Sequence, residues 1–348
     1  MSLTQESVLD CLRTVKYPGF SRDIVSFGLI KGVEVSGADV TVRLSVQTRD
    51  PEVPRRIYAD CQAALKSLPG VGHVELDFDI KDPPVTQGPG GPLLKQSIDG
   101  VKKIVAIASG KGGVGKSTVA SNLAVSLAAQ GAKVGLCDCD LYGPSIALMF
   151  GTDERPMATE DNAIIPIEVG GLKLMSMGFL LDDTSPVIVR GPMATRYTQQ
   201  FLRQVVWGDL DFLILDLPPG TGDIQLTIVQ TVALDGAVIV TTPQEVALID
   251  ARKAASMFAK VNVPLLGIVE NMSYFQCPTD GVKYHLFGQG GGRREADRLG
   301  IPLLAEIPIE MPIREAGDSG LPIAAQGPEK SAVAAAFHDL AKKIAAGC

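Results

Sequence analysis

A glycine-rich stretch of this sequence places a lysine and a serine at a spacing suited to phosphate chemistry. The pattern Gly110-x4-Gly115-Lys116-Ser117 is the P-loop spacing, in which backbone N–H groups reach phosphate oxygens because no Cβ blocks them. In this pattern Lys116 pairs with the β- and γ-phosphates, and the Ser117 hydroxyl coordinates Mg²⁺. The predicted ATP site comprises Gly110, Lys111, Gly112, Gly113, Val114, Gly115, Lys116, Ser117 and Thr118.

The elements that must position this loop are a strand before it and a helix after it. An apolar run with β-branched residues at 104–108 predicts a buried strand, and residues 117–129 predict a helix. Further apolar runs alternate with helical segments along the chain, which implies right-handed crossovers and a parallel sheet. The predicted fold class is α/β: a doubly wound, mostly parallel sheet in a P-loop NTPase domain, preceded by a small α+β domain.

Three acids end or follow apolar runs, where open α/β sheets bind their ligands. We predict that Asp140 orients the water that attacks the γ-phosphate, while Asp138 lies nearer the Mg²⁺ shell. Asp216 fits a Walker B carboxylate, which holds Mg²⁺ through water. For Asp138 and Asp140 the alternative is to cap the loop that begins there. We expect slow, Mg²⁺-dependent ATP hydrolysis, with Lys116 and Asp140 as catalytic residues.

Proline and glycine divide the chain after its first 80 residues. We assign residues 1–80 to the small α+β domain, 81–97 to a Pro/Gly linker and 98–348 to the P-loop ATPase domain. Within the small domain, an alternating apolar run at 40–46 predicts a strand with one buried face.

Composition argues against several classes of protein. The 348 residues carry a formal net charge of −7, which provides no overall positive field for nucleic acid or anionic lipid. We find no secretion leader and no run of about 18 apolar residues, so we expect a cytoplasmic protein without a membrane partner. Six scattered cysteines without a Cys-x-x-Cys motif do not suit a disulfide framework. Cys137 and Cys139 share a strand face, where core packing is favoured over a metal pair.

Lys111 is a second lysine, directly after the first glycine of the P-loop. The loop thereby resembles the deviant Walker A loop of the MinD, ParA and nitrogenase iron-protein class. That resemblance implies a homodimer in which Lys111 reaches the partner's nucleotide and joins the catalytic residues. The alternative for Lys111 is a solvated loop lysine. The same class implies that Asn271, which follows the apolar run at 265–270, contacts the adenine ring.

Longer motifs extend the resemblance over nearly the whole chain. Besides the P-loop they are Asp140-Leu-Tyr-Gly-Pro-Ser145, Asp216-Leu-Pro-Pro-Gly-Thr-Gly-Asp223, Val269-Glu-Asn-Met-Ser-Tyr-Phe275 and Phe287-Gly-Gln-Gly-Gly-Gly292. Together they resemble the Mrp/ApbC family of iron–sulfur cluster carrier ATPases, and the small first domain is similar to SufT. The family implies an ATPase that assembles clusters or delivers them to client apoproteins, together with assembly factors and without binding nucleic acid.

The cargo site of that family is a Cys-Pro-x-Cys motif, and here it is altered. Two such cysteines from each of two subunits would supply four thiolates to a [4Fe–4S] cluster that bridges a homodimer. This chain reads Cys277-Pro-Thr-Asp280, so a carboxylate replaces the second thiol. A carboxylate is a harder ligand that binds cluster iron less well than a thiolate. Cys277 is therefore the candidate iron–sulfur ligand at a dimer interface.

Three functions stay open from the sequence. The first is a cluster carrier that uses Cys277 from each subunit, with Asp280 or a client's thiols as further ligands. The second is an ATPase of this family that acts in assembly or partner delivery without holding a cluster. The third is a positioning ATPase similar to MinD or ParA, which would need a membrane tail or a basic DNA-binding face.

Overall fold

The chain divides into two compact units, Met1–Leu93 and Leu94–Cys348. The computed structural model describes residues 3–15, 23–25, 29–47, 52–81, 95–140, 143–159, 163–176, 179, 202 and 204–348. Most of the predicted linker, residues 82–94, lies outside the described residues.

The first unit combines a small sheet with helices. Its described elements are α1 (Gln5–Leu12), β1 (Ile30–Ser36), β2 (Asp39–Gln47), α2 (Glu52–Lys66) and β3 (His73–Lys81). The central strand β2 runs antiparallel to β1 and parallel to β3. Alternate residues of β2 pack in the core with α1 and α2, which confirms the predicted strand with one buried face: Val40, Val42, Leu44 and Val46.

The second unit is built on one large sheet. Its described strands are β4 (Val101–Ala108), β5 (Val134–Asp138), β6 (Met157–Ala158), β7 (Ile164–Ile165), β8 (Ile167–Val169), β9 (Leu172–Ser176), β10 (Leu210–Asp216), β11 (Gly236–Thr241), β12 (Leu265–Glu270), β13 (Phe275–Gln276), β14 (Lys283–Tyr284) and β15 (Leu303–Glu306). Eight of these described strands form the sheet, in the order β15-β12-β11-β4-β10-β5-β9-β8. Neighbours are parallel except at one edge, where β8 runs antiparallel to β9.

Helices cover both faces of this sheet. Those described are α3 (Lys116–Ala129), α4 (Ile146–Met149), α5 (Asp223–Thr231), α6 (Glu245–Lys260), α7 (Gly291–Leu299), α8 (Met311–Asp318) and α9 (Ala332–Gly347), with a 3₁₀ turn at Ile323–Gln326. Alternate residues of β4 enter two separate apolar cores, as expected of a strand buried on both faces. The predicted fold class is confirmed. Within the described part of the chain, no helix combines the length and the apolar character needed to span a bilayer.

The register of the central strands aligns their carboxyl ends. Asp216 at the end of β10 is the pairing partner of Ile107 in β4 and of Asp138 in β5. The P-loop leaves β4 at this same edge and leads into α3. The sheet therefore gathers the P-loop and the two predicted acids at one crevice.

Candidate nucleotide-binding site and thiol loop

The P-loop packs so closely on its neighbours that two positions require glycine. A Cβ on Gly110 would lie 2.1 Å from the backbone carbonyl of Asp250 in α6. A Cβ on Gly115 would lie 2.1 Å from Nδ2 of Asn271, and Gly115 also has a left-handed φ of +80°. As the N-cap residue of α3, Gly115 offers no side chain to the first N–H groups of the helix. These N–H groups are therefore suited to phosphate oxygens.

Lys116 and Asp216 form a buried ion pair beside the P-loop. Lys116 Nζ lies 2.5 Å from Asp216 Oδ1, and the two side chains are 6% and 0% exposed. Burial raises the pKa of Asp216, and the positive charge of Lys116 opposes that rise. The lysine assigned to phosphate thus stands beside the acid assigned to Mg²⁺.

One oxygen of Asp216 is suited to a metal ion. Asp216 Oδ2 is buried and accepts no hydrogen bond from any described residue. Leaving such an oxygen without a donor or cation is costly, and Mg²⁺ prefers oxygen ligands. The hydroxyl of Ser117, which lies 3.4 Å from Lys116 Nζ, adds a second oxygen at the same place. These residues fit Mg²⁺.

Asp138 holds the loop that follows β5. Its carboxylate accepts hydrogen bonds from Ser176 Oγ and from the backbone N–H groups of Asp140, Ser145 and Ile146, at 2.9 to 3.2 Å. Burial, followed by the negative charge of Asp216, raises the pKa of Asp138 to about 7. These contacts fit the loop-capping alternative for Asp138. Its place near Mg²⁺ stays a prediction.

Asp140 follows β5 and Lys111 lies in the P-loop, and both are half-buried. Asp140 Oδ1 accepts a hydrogen bond from the N–H of Gly143 at 3.3 Å. Its charge contributes, after burial, to the raised pKa of Asp216. The carbonyl oxygen of Lys111 accepts a hydrogen bond from Ser109 Oγ at 2.9 Å. The catalytic roles of Asp140 and Lys111 stay predictions.

Asn271 lies directly on the P-loop. Its Nδ2 donates a hydrogen bond to the carbonyl oxygen of Val114 at 2.9 Å, and the residue is 6% exposed. The structure therefore brings Asn271 to the predicted nucleotide site. Its contact with adenine stays a prediction.

Cys277 begins the loop of the β13–β14 hairpin and is half-buried. Its backbone N–H donates to Val282 O at 3.0 Å, and its carbonyl accepts from the N–H of Gly281 at 2.9 Å. Among the described residues, no group of three or more His, Cys, Asp or Glu side chains is arranged to hold a metal ion.

Asp280 lies in the same loop and is bonded within it. Its carboxylate accepts hydrogen bonds from the Val282 N–H at 2.9 Å and the Tyr284 hydroxyl at 3.0 Å. These bonds, that of Val282 foremost, hold the pKa of Asp280 below its usual value. The carboxylate that replaces the second cysteine is therefore bonded within its own hairpin.

The other candidate thiols pack in the core, as the sequence predicts. Cys137 and Cys139 are both buried among apolar residues of the sheet, with their Sγ atoms 3.9 Å apart. A hydrogen bond to the Cys137 thiol, followed by burial, raises the pKa of the Cys139 thiol.

Glu270, which was not predicted as a site residue, anchors the glycine motif near the thiol loop. Its buried carboxylate accepts hydrogen bonds from Ser273 Oγ and from the backbone N–H of Gly292. A Cβ on Gly292 would lie 2.9 Å from Glu270 Cβ, so the close approach requires glycine. The sequence signal that could have identified Glu270 is its position at the end of an apolar run, which it shares with Asp216.

Both units of the chain match known protein families. Residues 100–345 match the family described as NUBPL iron-transfer P-loop NTPase, and residues 5–76 match the family described as iron-sulfur cluster assembly protein. The iron-sulfur cluster carrier protein of Synechocystis sp. is 47% identical over 350 residues, which cover 99% of this chain and 97% of that protein.

Solved structures agree with the fold. The nucleotide-binding protein of Archaeoglobus fulgidus, in complex with ADP, is 41% identical and covers 64% of this chain and 88% of its own, with a TM-score of 0.58. The cell division ATPase MinD of Pyrococcus furiosus is 26% identical. The match covers 71% of this chain and 99% of the MinD chain, with a TM-score of 0.55. The resemblance and the general function predicted from the sequence are confirmed by these matches. The chain belongs to the NUBPL iron-transfer P-loop NTPase family.

Proposed function

We propose that this protein is a Mg²⁺-dependent ATPase that carries iron–sulfur clusters and delivers them to client apoproteins. The observation that carries the proposal is the buried Lys116–Asp216 pair, in a chain that also presents Cys277 on a hairpin loop. A nucleotide site alone would fit many P-loop NTPases. The hairpin thiol adds the type of ligand that cluster iron needs. The name of the Synechocystis relative supports the same function.

Hydrolysis would depend on positioning and charge, with no covalent step. Lys116 and the P-loop N–H groups hold the phosphates. Ser117 and Asp216 supply oxygen ligands for Mg²⁺, which neutralises phosphate charge when bound. Asp140 orients the attacking water on the γ-phosphate. We expect slow turnover from this set of groups.

A homodimer is part of the proposal. Lys111 follows Gly110 in the P-loop, from where its ammonium would pair with the nucleotide of a second copy. Pairing would also bring two Cys277 loops together on the dimer axis. Each copy would then supply one thiolate to a bridging [4Fe–4S] cluster, with further ligands from Asp280, a small thiol or the client.

Lys111→Ala is expected to weaken ATP-dependent dimerisation by about tenfold or more, because it removes a charge from the interface. Light scattering with a non-hydrolysable ATP analogue measures the effect. Lys102→Ala is the matched control, since Lys102 is an exposed lysine paired with Asp211. A protein that stays monomeric with every nucleotide would rule out the bridging cluster as well.

The contacts of Asp280 favour a second candidate function. Because its carboxylate already accepts hydrogen bonds from Val282 and Tyr284, iron ligation would have to compete with them. The second candidate is an ATPase of this family that acts in assembly or partner delivery without holding a cluster itself.

Anaerobic reconstitution with iron and sulfide separates the two candidates. For the carrier we expect labile, oxygen-sensitive absorbance that Cys277→Ala removes. Asp280→Cys is expected to raise both iron content and cluster lifetime, because a second thiolate completes the ligand set. The ultraviolet–visible spectrum and the iron count per monomer measure both effects.

Cys11→Ala is the control for this experiment, since Cys11 is a half-buried thiol of the first unit. Equal iron retention in the wild type and in Cys277→Ala would contradict the role of Cys277. No iron in either protein, with a stable cluster in Asp280→Cys, would favour the second candidate.

A further inference from the structure

Asn271 fastens one end of a short turn to the P-loop. Besides the bond from its Nδ2 to Val114 O, its backbone N–H donates to Thr241 O at 2.8 Å. A Cβ on Gly115 would overlap Nδ2 at 2.1 Å, so the amide lies in close contact with the P-loop backbone. Phosphates that enter the P-loop therefore meet backbone that Asn271 holds.

Met272, the next residue, reverses the chain in an uncommon conformation. Its φ is +54°, and among the described residues only Asn262, at +52°, shares a left-handed φ without being glycine. A residue keeps such a conformation when its surroundings fix it. Here Asn271 is held on one side, and on the other the Ser273 N–H donates to Ile307 O at 2.9 Å. The turn is thus held by hydrogen bonds on both sides of Met272.

Ser273 and Tyr274 fasten the other end of the turn to the thiol hairpin. The carbonyl oxygen of Ser273 lies 3.4 Å from Nδ1 of His285, directly after β14. The ring of Tyr274 packs edge-on against His285, with centroids 6.4 Å apart, and Lys283 Nζ lies 4.1 Å from the Tyr274 centroid. His285 therefore contacts the turn directly, Lys283 of β14 contacts the residue after the turn, and Cys277 follows Tyr274 by three residues.

We propose that the turn at residues 271–273 couples nucleotide occupancy of the P-loop to the reactivity of the Cys277 thiol. The inference rests on the proposed nucleotide site, and it requires no bound cluster. Nucleotide phosphates displace the Val114–Gly115 backbone and with it Asn271. The fixed reversal at Met272 passes this displacement to the hairpin, which alters the exposure of Cys277. Such coupling needs differential contacts in two states, and the turn touches both sites.

Alkylation of Cys277 by iodoacetamide, followed by peptide mass spectrometry, tests the coupling. We expect saturating Mg²⁺ and ADP to change the rate at Cys277 by about fivefold or more. Cys348, a half-buried thiol at the chain end, is the internal reference in the same sample. ADP is the probe because ATP-dependent pairing of two copies would itself shield the thiol.

Two variants cut the connection at different points. Met272→Gly keeps the left-handed φ accessible but frees the turn, because glycine adopts many conformations. His285→Ala removes the contact of Ser273 with His285 and one of the two contacts that Tyr274 makes with residues 283–285. In each variant we expect ADP binding to persist in calorimetry while the ADP effect on alkylation falls below about twofold.

Asn262→Gly is the matched control, since it makes the same change at the other left-handed residue, at the end of α6. It is expected to keep the wild-type ADP effect. ADP binding without any change at Cys277, or a wild-type effect in both cut variants, would overturn the coupling. Failure of the wild type to bind ADP would instead refute the nucleotide site, and the coupling with it.

Discussion

Lys116→Ala is expected to abolish ATP binding and, with it, hydrolysis. The substitution removes the ammonium group from the phosphates and leaves Asp216 as a buried carboxylate without its cation. We expect a loss of about 100-fold or more in ATP affinity and in turnover. Calorimetry with a non-hydrolysable analogue and a phosphate-release assay measure the two quantities separately.

Lys102→Ala is the control for this loss, because Lys102 lies at the opposite end of β4 in an exposed pair with Asp211. Lys116→Arg is expected not to restore binding, since a guanidinium keeps the charge but not the compact geometry of the ammonium. Thermal unfolding of each variant shows whether it is folded. Wild-type affinity in a folded Lys116→Ala would contradict the site.

Asp140→Ala is expected to keep ATP binding and to lower turnover by about 100-fold or more. The reason is that Asp140 is assigned to the attacking water and not to the phosphates or to Mg²⁺. The same calorimetric and phosphate-release measurements apply. Asp153→Ala, at an exposed acid of the following loop, is the matched control. Normal hydrolysis by Asp140→Ala would show that another group orients the water.

The sheet and the P-loop were predictable because their signals are local in the sequence. The apolar run at 104–108 is the buried part of β4, which ends at Ala108 as predicted. The strand starts earlier, at Val101, because its first residues pair with β10, Val101 with Leu210 and Lys103 with Phe212. Those partners are distant in sequence, so periodicity alone could not show where the strand begins.

The surroundings of the thiol were not predictable in the same way. Strands β13 and β14 have two residues each, which is too short for an alternating pattern to be visible. The bond from the Tyr284 hydroxyl to Asp280 depends on that hairpin. The contact of Glu270 with Gly292 likewise joins the end of β12 to the start of α7. Local sequence patterns do not show which distant residues come into contact, so this bond could not be predicted.

The Lys116–Asp216 pair has a consequence for which ligands the crevice accepts. A bare divalent cation that approaches Asp216 would meet the ammonium of Lys116, and a nucleotide without metal would meet the carboxylate of Asp216. In the proposed site, metal and nucleotide that arrive together would let each charge exchange its partner, lysine for phosphate and carboxylate for metal. The pair would therefore favour the joint binding of metal and nucleotide over the binding of either one alone.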